Sequence, residues 1–128
     1  MDSARWNPET LAALADALEV DVTPIAADGS RRSSRTVWSI RVGDELYLRS
    51  WKGRGAAWFR DAVATGQGEL AVIGGGASQL VRFEEVDAEA NIQAQISATF
   101  LTKYAADRYA AAMNESGPLE STLRLIPR

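Results

Sequence analysis

The chain has 128 residues, 46% of them apolar, with 14 basic and 17 acidic side chains, a net charge of −3, and neither cysteine nor histidine. That length and apolar content fit one compact domain, residues 1–128, with an ordinary core. Lacking cysteine, the chain has no disulfide, thiolate catalysis or zinc-finger chemistry, and lacking histidine it has neither the usual general base nor the commonest metal ligand. Ser-His-Asp and Cys-His catalysis are therefore excluded, and any acid or base has to be Asp, Glu, Tyr, Lys or water. No apolar window of about eighteen residues exists. Residues 1–6 lack the basic and then apolar design of a signal peptide. A cytoplasmic protein without a membrane span is the expectation.

The first element opens with Asn7 as N-cap, Pro8 at the first helical position and Glu9 in the first turn, followed by Leu11, Leu14 and Leu18 on one face. This pattern predicts a short amphipathic helix ending near Glu19. Residues 20–27 alternate weakly and contain Pro24, which suits an edge strand or an irregular extended segment. Residues 28–34 form a polar loop. Two β-rich runs, 36–42 and 45–51, are then separated by Gly43-Asp44, the order a type II′ hairpin turn prefers. The implied register sets Ser39 opposite Leu48, Ile40 opposite Tyr47, Trp38 opposite Arg49 and Thr36 opposite Trp51. Trp38, Ile40, Tyr47, Arg49 and Trp51 would share a face, with Arg49 over Trp38 as a cation–π pair worth about 0.5–1 kcal/mol when exposed.

A basic glycine turn, Lys52-Gly53-Arg54-Gly55, leads into a short helix over 56–65 with Phe59, Ala62 and Val63 inward and Gly66 as its stop. A strand near 69–73, the Gly74-Gly75-Gly76 run and a strand over 78–86 read as a second hairpin with Val81 and Phe83 on one face. Asp87 is placed to cap a helix in which Ile92, Ile96 and Phe100 recur, and helix is expected again from 104 to 114. Ser116-Gly117-Pro118 turns the chain into a last strand over 122–126. Short hairpins with few crossover helices predict an α+β fold, a small antiparallel β-barrel with flanking helices.

Charge singles out one stretch. Residues 31–60 carry eight basic side chains (Arg31, Arg32, Arg35, Arg41, Arg49, Lys52, Arg54 and Arg60) against Asp44 and Glu45, a net +6, while the rest of the chain sums to −9. Positive charge concentrated in an acidic protein points to an anion. Strand, basic glycine turn and helix supply free backbone N–H groups, a positive helix end and charged donors, with Arg49, Ser50, Lys52 and Arg54 as the candidates. A solvated basic loop is the competing reading, since the turn is neither a P-loop nor a dinucleotide-binding glycine motif.

The stretch from Arg35-Thr36-Val37 through Gly43-Asp44, Leu46-Tyr47-Leu48-Arg49-Ser50 and the glycine turn to Ala57-Trp58-Phe59-Arg60 and Gly66 resembles the central part of the deazaflavin-dependent nitroreductases, members of the FMN-binding split-barrel group. Over the whole chain, including 100–104 and 121–127, the sequence resembles more closely the family known as domain of unknown function 2255. This resemblance implies a split β-barrel, a homodimer, and a flavin or deazaflavin ring near the dimer interface with its phosphate on basic and hydroxyl residues. Carried over by position, Arg49, Ser50, Lys52 and Arg54 meet the phosphate, Trp58 opens the helix, and Arg35 and Thr36 approach the cofactor. Ser30-Arg31-Arg32-Ser33-Ser34 and Thr65-Gly66 depart from the nitroreductase pattern. FMN or a deazaflavin would carry the hydride, which is how a chain without His or Cys could be an oxidoreductase acting on a small organic molecule.

Trp38, Trp51 and Tyr104 are the candidate substrate-binding side chains, against the alternative that the tryptophans are core or interface residues. Tyr104 and Tyr109 are also weighed as proton donors. The acidic run Glu84, Glu85, Asp87 and Glu89 matches no EF-hand spacing and reads as solvated, so no metal is expected. The net acidic charge and the lack of a motif argue against nucleic acid. The alternative function is a cofactor-free small-molecule binder of the same fold, a carrier, cyclase or isomerase. A third reading makes the aromatic hairpin face a dimer seam.

Overall fold

A computed structural model describes residues 5–128. The expectation about a signal peptide rests on residues 1–6 and so lies mostly outside them. The chain forms α1 (Pro8–Asp16), β1 (Val20–Pro24), β2 (Arg35–Val37), β3 (Ser39–Val42), β4 (Glu45–Arg49), α2 (Ala57–Thr65), β5 (Gln67–Val72), β6 (Ser78–Glu85), α3 (Ile92–Lys103), α4 (Ser116–Leu119) and β7 (Thr122–Pro127). The seven strands make one antiparallel sheet in the order β2-β1-β5-β6-β7-β4-β3. Its two outermost strands are consecutive in sequence and joined by Trp38 alone. The sheet therefore curls until its edges meet at that residue, giving the α+β split barrel that the sequence predicts.

Local chemistry explains the elements. The Asn7 side chain accepts from the N–H groups of Glu9 (2.9 Å) and Thr10 (3.1 Å), and Pro8 occupies the first turn. The helix stops at Asp16, because Ala17 is extended, and Leu18 is left 66% exposed instead of joining the buried face. Gly43 takes φ 60 while Asp44 keeps a negative φ, as a II′ turn requires, and β3 pairs with β4 in the expected register. That hairpin is shorter than predicted. Residues 35–37 pair with β1 instead, so Trp38 is not opposite Arg49, nor Thr36 opposite Trp51; Thr36 faces Asp21. Strand β1 is interior to the sheet, and Pro24 is tolerated at its last position.

Gly66, at φ 71, ends α2 with its N–H on the Ala62 carbonyl. Asp87 caps a turn at Glu89 (2.8 Å) and not α3, which starts later. The helix predicted over 104–114 is reduced to turns and a 3₁₀ segment, Ala111–Asn114. Two apolar clusters result. Inside the barrel lie Leu11, Leu14, Leu46, Leu48, Phe59, Leu70, Val81, Leu123 and Leu125. Between the outer face of β3–β4 and α3 lie Ile40, Tyr47, Ile96, Phe100, Tyr104, Ala110 and Met113.

A cationic aromatic cleft as candidate functional site

At its end β4 runs into Ser50 and Trp51, and the chain then makes a 3₁₀ turn, Gly53–Gly55, before α2. The Ser121 hydroxyl holds this exit by accepting the Ser50 N–H at 3.1 Å. Gly53 has φ 71, and a Cβ there would lie 3.3 Å from the Gly117 carbonyl oxygen, so the turn needs glycine. The corner at Trp38 approaches from the other side. Between them opens a cleft of about 790 Å³.

Trp38, Trp51, Trp58 and Tyr109 supply its aromatic walls. Trp38 stacks on Tyr104 with ring centroids 3.9 Å apart and planes within 5°, while Trp51 meets Tyr109 edge-on at 5.4 Å. Arg35, Lys52 and Arg60 bring positive charge to the same cleft and Glu19 the lone carboxylate. None of those three cations has an ion-pair partner among the described residues. By contrast, Arg31 is paired with Glu69, Arg41 with Asp44 and Arg54 with Glu85. Ala56 and Ala57 also line the cleft, and no side chain caps the start of α2 there, which leaves backbone donors and a positive helix end at its wall. The Ser50 hydroxyl, fully buried, has no hydrogen-bond partner among the described residues.

Eight of the ten predicted site residues line this cleft: Arg35, Thr36, Trp38, Arg49, Ser50, Trp51, Lys52 and Trp58. Arg54 does not. It donates to Glu85 at 2.6 Å and to the Glu120 carbonyl at 3.0 Å, and its guanidinium lies over Phe59. Tyr104 lies beneath Trp38 as its support, its hydroxyl donating to the Leu18 carbonyl at 2.7 Å with the Ser39 carbonyl at 3.2 Å. Burial raises the Tyr104 phenol above its ordinary value.

Arg49 is 1% exposed, and its donors are all used. Nε donates to Thr122 Oγ1 (3.0 Å), Nη1 to the Met113 carbonyl (3.0 Å) and Asn114 Oδ1 (2.9 Å), and Nη2 to Gln93 Oε1 (2.7 Å) and Ser97 Oγ (3.1 Å). Its cation–π partner is Phe100 at 5.3 Å, not Trp38, because the chain turns the corner at Trp38 before the β3–β4 pairing begins. Burial lowers its pKa to about 10, and it remains charged at neutral pH.

Sequence reasoning missed Glu19, Arg60 and Met113 as cleft residues and weighed Tyr109 only as a proton donor. Arg60 carried a usable signal, since it sits one turn into α2 on a segment already marked as basic. Met113 and Glu19 carried none, because loops far apart in sequence deliver them.

The model of an uncharacterized protein family conserved in bacteria, DUF2255, matches residues 10–125, and the chain belongs to that family. No curated protein matches the sequence significantly. Among solved structures, the chain is similar to the heme storage protein HutZ from Vibrio cholerae, with a TM-score of 0.70 and 10% identity over 97% of this chain and 91% of that one. An F420 reductase aligns with a TM-score of 0.54 and 13% identity over 95% and 94% of the two chains. A FAD-binding protein from Mesorhizobium loti aligns with a TM-score of 0.54 and 17% identity over 96% and 91%. At these identities the likeness establishes the split-barrel fold. Among the described residues no helix is long and apolar enough to cross a membrane.

Proposed function

Taking membership of that family as the premise, we propose that the cleft binds a flat anionic cofactor, FMN or a deazaflavin, and that the protein is a cytoplasmic oxidoreductase acting on a small organic molecule as a homodimer. One observation carries the reading. Of the eight cations of the basic segment, Arg31, Arg41 and Arg54 are paired on the surface and Arg32 lies away from the cleft, while Arg35, Lys52 and Arg60, with no ion-pair partner among the described residues, line one aromatic cleft together with the buried Arg49. Exposed cations left without an ion-pair partner in a concave site suit a phosphate or another anion.

The residues present fit such a group. Lys52, the uncapped start of α2 and the unpartnered Ser50 hydroxyl would hold a phosphate, and Trp38, Trp51 and Trp58 would flank a planar ring. When bound, a flavin or deazaflavin supplies hydride transfer. The chain's own part is to orient the ring between tryptophans, to exclude water with Val37 and Met113, and to offset anionic charge. Composition separates this reading from a heme pocket with the two commonest protein donors, because the chain has neither His nor Cys. Trp51, half exposed, and Tyr109 stand at the rim, where a second copy would cover them.

A fluorescence titration of the purified protein with FMN and with a deazaflavin cofactor tests the reading. The expected result is saturable binding that weakens roughly ten-fold in Lys52→Ala and further with added salt. Absence of saturable binding of both cofactors would sink the redox reading and favour a cofactor-free binder of the same fold.

A further inference from the structure

A buried charge normally has a partner of opposite sign. Arg49 has none. Its five N–H groups go to two hydroxyls, two side-chain amides and one backbone carbonyl, all neutral, and the side chain is 1% exposed. Burial lowers its pKa, and no carboxylate among the described residues forms an ion pair with it. Neutral acceptors satisfy the hydrogen bonds and leave the full positive charge in place. Arg49 and the neighbouring Met113 form part of the cleft lining.

From this arrangement we infer that Arg49 is the fixed counter-charge of the cleft, a positioning residue that selects anionic over neutral ligands through its field while making no hydrogen bond to them. The inference rests on the proposed ligand-binding reading and deepens it. The exposed cations Arg35, Lys52 and Arg60 are screened by salt, whereas a charge buried in the protein is screened far less. The selection by side-chain charge that survives high salt therefore falls to Arg49, beside the hydrogen bonds that Ser50 and the start of α2 would give a phosphate.

FMN and riboflavin share a ring and differ in the phosphate, so their affinity ratio, measured by fluorescence titration, reports the selection. In the wild type the preference for FMN should shrink as KCl rises to about 1 M, where the Debye length is about 3 Å, but level off at roughly ten-fold. Arg49→Met should lower that residual preference several-fold and Arg49→Lys should keep most of it. Asn114→Asp provides the second test if Arg49→Met does not fold. It preserves size and the acceptor 2.9 Å from Nη1 while setting a carboxylate against the guanidinium, and it too should lower the residual preference several-fold. If Arg49→Met or Asn114→Asp keeps the wild-type ratio at high salt, the inference is overturned and the ligand-binding reading stands. If the wild type binds neither flavin, both fall together.

Discussion

Strand β4 has two faces that solve burial in opposite ways. Leu46 and Leu48 point into the barrel, where the surrounding cluster is hydrocarbon. Tyr47 and Arg49 point toward α3, where a guanidinium is fully buried and Lys103 is half-buried, each held by neutral acceptors. Lys103 Nζ donates to the Ala15 carbonyl at 2.7 Å and to the Ser39 carbonyl at 2.6 Å. The barrel interior gains stability from area alone. Burying the Arg49 guanidinium without a carboxylate costs stability, as does desolvating Lys103, which nearby Asp16 only partly offsets, so the α3 layer is where this fold gives some up. That layer also supports the cleft: Tyr104 stacks under Trp38, and Lys103 fixes Ser39, the next residue in the chain.

The comparison is broken most strongly from the barrel side. Leu48→Ala, at a fully buried position, should cost about 2–5 kcal/mol through lost transfer energy and a residual cavity. Urea unfolding should record this as a lowered midpoint at unchanged slope. In the variant that remains folded, flavin affinity should match the wild type, because Leu48 does not line the cleft. A selective loss of binding would mean that the two faces are not separable.

On the α3 side, Lys103→Met should cost less, about 1–2 kcal/mol at neutral pH, since losing two hydrogen bonds is partly offset by removing a desolvated charge. It should also alter Trp38 emission, through Ser39. The pH dependence sharpens this. Desolvation lowers the Lys103 pKa from 10.5 to about 8. Between those values the unfolded chain binds a proton that the folded chain has released, so this group makes stability rise with pH across that window. Tyr47 has the opposite sign, raised from 10.0 to about 12 by burial and then by Glu45. Above pH 10 the unfolded chain loses a proton that the folded chain keeps, and stability falls. Denaturation at pH 7, 9 and 11 should therefore show wild type gaining on Lys103→Met between the first two, and Tyr47→Phe losing less than wild type between the last two.

The same division explains what could be read in the sequence. The β3–β4 hairpin was legible because its signals are local: β-rich runs, Gly43-Asp44 at the turn, a period of two. The α1 cap and the Gly66 stop were legible for the same reason. The cleft was legible in part, since Arg35, Ser50, Lys52 and Trp58 fall on one contiguous stretch. Arg49 was legible as a cleft residue but not as a buried, fully engaged one, because its acceptors Gln93, Ser97, Met113, Asn114 and Thr122 come from 44 to 73 residues away and only the folded chain reveals that they consume its donors. Nor was the corner at Trp38, where a run that reads as one strand is divided between the two edges of the sheet. A break of one residue leaves the alternation of apolar and polar side chains almost intact.

The smallest expected effect separates two neighbours in the basic turn. Arg54 is half exposed and paired with Glu85 at 2.6 Å, so Arg54→Ala should cost about 0.2–1 kcal/mol of stability, plus a little for its packing on Phe59. It faces away from the cleft, and flavin affinity should remain within about two-fold of wild type once salt is high enough to screen its distant charge. Lys52→Ala should do the reverse, leaving the unfolding midpoint unchanged while weakening binding, because Lys52 lines the cleft and has no carboxylate partner among the described residues. The two residues are separated by one glycine, so composition and charge treat them as equivalent. A binding defect in Arg54→Ala as large as that of Lys52→Ala would mean that the turn acts as one diffuse positive patch, and the distinction between paired and unpaired cations that supports the cleft as the ligand site would lose its force.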